Sequence, residues 1–132
     1  MQTPIKDLKS FVINNHWINR LKKEAFGLIL PDGWLGRPYD NQHRVKNIST
    51  SNNQITIVFD DIREIHVTNP KTFELTSLND IRSSIKFFGY DEILFNWIPY
   101  GEEQTGKKIL KKYRANDQEV LEIVGYFPLV PR

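Results

Sequence analysis

The 132-residue sequence contains no cysteine, only two alanines and no apolar run near the length that crosses a bilayer. Without cysteine, the chain has no disulfide, no thiolate nucleophile and no cysteine-based zinc site. The formal net charge is only +2, from 18 basic and 16 acidic side chains. Nucleic acids and acidic membranes attract proteins with strong, clustered positive charge, so we expect neither as a partner.

Isoleucine is abundant where alanine is scarce: the chain has 15 isoleucines, and 12% of its residues are aromatic. Alanine is the best helix former, whereas isoleucine and the aromatic residues favour strands. Apolar residues also recur at every second position, which is the period of a strand with one buried face. These positions are Ile55, Ile57 and Phe59, then Ile65 and Val67, Phe73 and Leu75, and finally Ile93, Phe95 and Trp97.

The first 24 residues follow a different period. Ile5, Leu8 and Val12 are spaced as on one face of a helix, and Thr3 and Pro4 are suited to its first positions. A second stretch of helical spacing follows an asparagine pair that interrupts the first. We therefore expect an α+β fold, mostly antiparallel β, in which one or two N-terminal helices pack against six to eight strands in a curved sheet or partly open barrel.

The chain shows no internal repeat, low-complexity tract or linker, so we expect residues 1–128 to form a single globular domain. Residues 129–132, with the sequence Leu-Val-Pro-Arg, resemble the remnant that thrombin leaves after cleaving an appended tag. Asp7 and Lys9 stand where a secretory peptide needs an uninterrupted apolar core, which favours a cytoplasmic protein. Richness in isoleucine, asparagine and lysine favours a bacterial source.

The segment 31–43 carries the densest set of chemically versatile side chains. Pro31, Asp32 and Gly33 are typical of a turn, because proline presets φ, aspartate bonds to the following backbone and glycine tolerates positive φ. Pro38 then favours an extended residue before it. Tryptophan, arginine and tyrosine are common anchors of protein interfaces. The pattern predicts a semi-rigid loop whose binding residues are Asp32, Trp34, Arg37, Tyr39, Asp40, Asn41 and His43.

Three interpretations of this segment are open. In a structural one, the aromatic side chains cover the end of the sheet and Arg37 pairs with Asp32 or Asp40. In a second, the side chains contact a protein partner. In an enzymatic one, His43 is a general base, Asp40 orients it and Arg37 stabilises an anion. The sequence has no nucleophile elbow, zinc-binding helix, phosphate loop or dinucleotide fingerprint, which favours binding over catalysis.

The other histidines offer weaker signals. His66 falls between Ile65 and Val67 and therefore on the opposite face of a strand, near solvent or a covering element. A metal site would require His66 to converge with Asp60 and Asp61. Paired aspartates at this position are typical of a hairpin turn, so we expect no metal there. We expect no other cofactor either.

Residues 101–117 are compatible with a loop and short helix or with a long hairpin. They contain the only basic cluster, which consists of Lys107, Lys108, Lys111, Lys112 and Arg114. Acidic residues stand close by, so we expect a solvated charged face rather than a nucleic-acid site.

The densest aromatic region extends from residue 87 to residue 100. Alternation sends Phe95 and Trp97 to one face, where we expect them to join the core. Tyr90 and Tyr100 lie near turns, and we expect both to be exposed.

These observations lead to one functional expectation and one alternative. We expect a cytoplasmic bacterial protein without catalytic activity, which binds and neutralises a protein partner, as immunity proteins do, through the segment 31–43. It would be a monomer or a homodimer. The alternative is an enzyme that acts on an anionic small molecule through Arg37 and His43.

Overall fold

The computed structural model describes residues 2–31, 44–59, 64–97, 104–105, 109–114 and 120–129. Within these ranges the chain forms two helices and ten strands. They are α1 (Leu8–Asn14), α2 (His16–Leu21), β1 (Thr3–Pro4), β2 (Phe26–Ile29), β3 (Val45–Ser51), β4 (Gln54–Phe59), β5 (Glu64–Thr68), β6 (Thr72–Asn79), β7 (Arg82–Phe88), β8 (Glu92–Trp97), β9 (Ile109–Arg114) and β10 (Leu121–Gly125). The expected α+β class is confirmed, with ten strands where six to eight were expected.

The strands form two antiparallel sheets of five. The first sheet has the order β1-β6-β7-β10-β2, and the second sheet has the order β3-β4-β5-β8-β9. The hairpin of β6 and β7 belongs to the first sheet, whereas β5 and β8 pair with each other in the second. The chain therefore passes from one sheet to the other between β5 and β6, and returns between β7 and β8.

One hydrophobic core joins the two sheets. Phe26 of the first sheet packs edge-on against Phe59 of the second, with ring centroids 5.1 Å apart. Phe59 also contacts Phe95, which confirms Phe95 as a core residue. Each such side chain contributes about 1.5–3 kcal/mol through its burial. The other fully buried strand residues include Leu28, Ile85, Phe87, Leu121 and Ile123 in the first sheet and Ile57, Ile65, Val67 and Ile93 in the second.

The turn between β3 and β4 is built on two asparagines. Asn52 and Asn53 have φ values of 53° and 60°, in the left-handed region. Two positive φ values match the right-handed twist of a hairpin, and asparagine tolerates them better than other side chains do. Asn69, after β5, has φ 51° and donates its backbone N–H to the Asn53 carbonyl at 2.7 Å.

Tyr90 is buried, with 1% of its surface exposed, so the expectation that it would be exposed was wrong. It lies at the corner between β7 and β8. The Asp91 backbone N–H donates to the Thr68 carbonyl at 2.8 Å, and the Asn69 side-chain amide donates to the Asp91 carboxylate at 3.2 Å. These bonds hold the corner against the second sheet, where the ring of Tyr90 joins the core. Tyr100 lies outside the described residues.

The first helix begins later than its sequence pattern predicted. Thr3 and Pro4 pair with β6 as a strand. Proline, which lacks a backbone N–H, is tolerated there because β1 is an edge strand and one side of an edge strand has no neighbouring strand to bond. The second helix begins after Asn15, whose side chain accepts from the Ile18 backbone N–H at 2.9 Å, as an N-cap residue does. Of the helices in the described ranges, none is long and apolar enough to cross a membrane.

The residues after β10 return to α2. Trp17 Nε1 donates to Ser83 Oγ at 2.7 Å, and Ser83 Oγ donates to the Phe127 carbonyl at 3.0 Å. The guanidinium of Arg20 lies over the Phe127 ring, 4.6 Å from its centroid, and donates to the Pro128 carbonyl at 2.9 Å. This short segment is therefore held by both stacking and hydrogen bonds.

Gly125 makes this return possible. A Cβ atom at this position would overlap the ring of Phe127, so only glycine lets the ring fold back over the strand. Leu129 is half-buried and packs against the core. The proposed tag remnant at 129–132 stays a prediction, because residues 130–132 lie outside the described part.

Candidate binding site

The binding residues predicted from the sequence all fall within 32–43, outside the residues that the structure describes. Of the segment 31–43, only Pro31 is described. The predicted site therefore stays a prediction. The structure describes the part of the protein in which the segment begins. The residues concerned are Asp32, Trp34, Arg37, Tyr39, Asp40, Asn41 and His43.

The segment 31–43 begins directly after β2, which is the last strand in the order of the first sheet. β2 pairs with β10, and its neighbour across the ladder from Ile29 is Glu122. Leu30 is then buried, with 1% exposed, and Pro31 is half-buried. The start of the segment is thus anchored in the body of the protein.

A cavity of about 300 Å³ lies beside this starting point. Strands β2, β7 and β10 contribute to its wall, together with the two residues after β2 and the residue before β10. We name it the β2 cavity. Its lining residues are Ile29, Leu30, Pro31, Lys86, Phe88, Val120 and Glu122.

The charged residues of the β2 cavity belong to the outer face of the first sheet. Ile85 and Phe87 point into the core, so the intervening Lys86 points outward. The pairing register puts Lys86 beside Glu74 on β6 and beside Glu122 on β10. A row of alternating charge, Glu-Lys-Glu, therefore crosses three neighbouring strands and ends at the cavity.

Lys86 and Glu122 are half-buried, and within the described part of the chain neither side chain has a hydrogen bond or an ion pair. Glu74 differs, since it accepts from Thr76 Oγ1 at 3.4 Å. Groups of opposite charge that line a cavity without being paired to each other are available to a ligand that carries matching groups.

A further unsatisfied group lies on the same face. Ser84 is fully buried, and its hydroxyl has no hydrogen-bond partner in the ranges described. Its sequence neighbour Ser83, on the inner face, makes the two bonds that hold Trp17 and Phe127. Two adjacent serines thus have opposite hydrogen-bonding states, because adjacent strand residues point to opposite faces.

The outer face of the second sheet contains a bonded polar cluster centred on His66. Thr56 Oγ1 lies 2.9 Å from His66 Nδ1, and Glu64 Oε1 lies 3.5 Å from His66 Nε2. Asn96 donates its side-chain amide to the same Glu64 oxygen at 3.3 Å. His66 is half-buried on the face opposite Ile65, as its sequence position predicted.

A hydroxyl, an imidazole and a carboxylate in one row are the chemical groups of a hydrolytic triad. Here, however, Thr56 and His66 are cross-strand neighbours, and Glu64 lies two residues before His66 on the same strand. Both ring nitrogens of His66 already face a partner. No group of three His, Cys, Asp or Glu side chains that could hold a metal ion occurs in the described ranges. The cluster is therefore best explained as mutual satisfaction of polar groups on a sheet surface.

The basic cluster predicted near the C-terminus lies partly on a strand. Residues 109–114 form β9, paired with β8, so the short-helix interpretation is wrong for these residues. Lys112 Nζ lies 3.0 Å from a carboxylate oxygen of Glu92, and Leu110 on the same face is 56% exposed. Lys107 and Lys108 lie outside the described residues.

A second cavity, of about 190 Å³, lies between the start of α1 and the turn of β3 and β4. Asp7, Lys9 and Asn53 are among its lining residues. The Ser10 hydroxyl donates to the Asp7 carboxylate at 2.6 Å, and this bond lowers the pKa of Asp7 below its ordinary value. The carboxylate is thus already engaged by its own helix turn.

Sequence reasoning missed the β2 cavity. A visible signal was present, since Lys86 and Glu122 each interrupt a run of apolar strand residues. That pattern indicates that both residues face outward. It does not predict that they lie close together, because the distance between them depends on the register between two strands that are far apart in sequence.

Comparison with known proteins identifies no relative. No protein-family model matches the chain, and no similar curated protein or solved structure was found.

Proposed function

We propose that this protein is a non-catalytic interaction module that binds a protein partner through the segment 31–43. The observation that carries the proposal is the position of Pro31, which lines the β2 cavity and opens a segment rich in tryptophan, arginine and tyrosine. Such side chains supply most of the binding energy in many interfaces. A partner that contacts the segment also reaches the apolar rim of the cavity.

The proposed role is capture and neutralisation of that partner by a small cytoplasmic bacterial protein. A neutralising protein needs a stable body and a directional contact surface rather than a reaction centre. The antiparallel body supplies the first, and the hydrogen-bonding and aromatic groups of 31–43 supply the second. The enzymatic alternative assigns Arg37 and His43 to an anionic substrate.

The proposal is tested by affinity capture with matched variants. Immobilised wild-type protein is compared with Trp34→Ala, Arg37→Ala and a control, Arg82→Ala, whose exposed side chain belongs to β7. We expect a defined protein to be retained by the wild type and the control. Trp34→Ala should weaken its affinity about 30-fold, the loss typical of an interface anchor.

Two results would contradict the proposal. One is a partner that binds both segment variants and the wild type with equal affinity. The other is conversion of an anionic metabolite by the wild type that is lost in His43→Gln and Arg37→Gln, which would favour the enzymatic alternative. Circular dichroism of each variant controls for folding.

A further inference from the structure

The charges of the β2 cavity restrict which ligands fit it. Lys86 and Glu122 face each other across neighbouring strands, with Cα atoms about 4.5–5.5 Å apart. A ligand with a single charge would be attracted by one of them and repelled by the other. A ligand that carries both a cation and an anion on adjacent atoms would be attracted by both.

The other described residues of the wall are apolar. Ile29, Leu30 and Phe88 contribute hydrocarbon surface, and Pro31 and Val120 extend it. The volume of about 300 Å³ stands at the lower end of the range for small-molecule sites. The cavity thus combines a dipolar charged part with an apolar part, at the size of a single amino acid.

We infer that the β2 cavity binds a free α-amino acid with an apolar side chain, in its zwitterionic form. Lys86 Nζ donates to the ligand carboxylate, and the Glu122 carboxylate accepts from the ligand ammonium group. The apolar side chain of the ligand packs against Ile29, Leu30 and Phe88. This inference is independent of the proposed protein partner, because it uses no residue of 32–43.

The first test compares L-leucine with two analogues that each lack one charged group. Isoamylamine keeps the apolar part and the cation, and 4-methylpentanoate keeps the apolar part and the anion. Binding to the full chain is measured by calorimetry and by amide NMR shifts. We expect leucine to bind at least about tenfold more tightly than either analogue. Absence of leucine binding, or equal affinity for all three, would overturn the inference.

The second test uses variants that should bind leucine less tightly and one singly charged analogue more tightly than the wild type does. Lys86→Met removes the cation and keeps an unbranched side chain, and Glu122→Gln removes the anion and keeps the shape. Each should weaken leucine binding about tenfold. Lys86→Met should bind isoamylamine more tightly than the wild type does, because the repulsion is gone, and Glu122→Gln should do the same for 4-methylpentanoate.

Lys46→Met is the matched control, since Lys46 is exposed on β3 in the other sheet. It should leave all three affinities unchanged. A general loss of folding would weaken every ligand alike, so it cannot produce the opposite preferences expected here. If neither variant binds its singly charged analogue more tightly than the wild type does, the inference is wrong, and the proposed partner binding is unaffected.

Discussion

The outer faces of the two sheets carry similar side chains in different states of pairing. On the second sheet, His66 lies between Thr56 and Glu64, and the charged ends of Lys112 and Glu92 are 3.0 Å apart. On the first sheet, Lys86 and Glu122 are neighbours by register, yet within the described ranges neither side chain has a hydrogen bond or an ion pair. Polar groups that satisfy one another form a self-sufficient surface, whereas unpaired groups around a cavity are the better indication of a binding site.

The outer faces of the two sheets can be compared directly only if both sheets belong to one cooperative folding unit. Replacing Phe59 with alanine should lower the free energy of unfolding by about 3–5 kcal/mol, because its ring packs between the two sheets. Urea unfolding would be followed through the indole N–H of Trp17, near the first sheet, and the ring protons of His66 in the second.

Both signals should disappear in one transition, in the wild type and in the variant. Two separate transitions would mean that the sheets are independently stable, and their outer faces would then have to be compared as separate domains.

The second prediction isolates the hydrogen-bonding difference at adjacent positions. Ser83→Ala should cost about 1–3 kcal/mol, because it leaves Trp17 Nε1 and the Phe127 carbonyl without their shared partner. Ser84→Ala should cost much less, since it deletes a buried hydroxyl without a partner among the described residues. Chemical denaturation of the two variants measures both losses in the free energy of unfolding. Equal losses would contradict the difference in hydrogen bonding between the two serines.

The smallest expected effect concerns the electrostatic coupling within two pairs of opposite charges, one on each sheet. A double-mutant cycle with Lys112→Met and Glu92→Gln should give a coupling of about 0.2–1 kcal/mol that decreases at high salt. The same cycle with Lys86→Met and Glu122→Gln should give a smaller coupling. A larger coupling between Lys86 and Glu122 would show that they pair in solution, and the contrast between the faces would disappear.

Much of the fold could be predicted because its signals are local. Ile55, Ile57 and Phe59 alternate with less buried residues, and any strand with this pattern buries that set. The asparagines at 52 and 53 provide a turn through their tolerance of positive φ. Tyr90 was misjudged because nearness to a turn does not decide exposure when the corner itself folds over the core.

The candidate site could be predicted only in part. The side chains of 32–43 were recognised by type, but their arrangement lies outside the described residues. The β2 cavity depends on β7 and β10 meeting in one particular register, which is decided by packing between distant segments. Strand β9 was ambiguous for another reason: its apolar residues do not alternate regularly with polar ones, and Leu110 is largely exposed.

The position of β10 between β7 and β2 has a consequence for how the chain is made. β10 leaves the ribosome after the other described strands of its sheet, yet it occupies an inner place among them. Until it emerges, the ladder edges of β7 and β2 that it will occupy are unsatisfied, and such edges attract strands from other nascent chains. The first sheet is therefore completed, and Lys86 is joined to Glu122 across one wall, only once β10 has emerged.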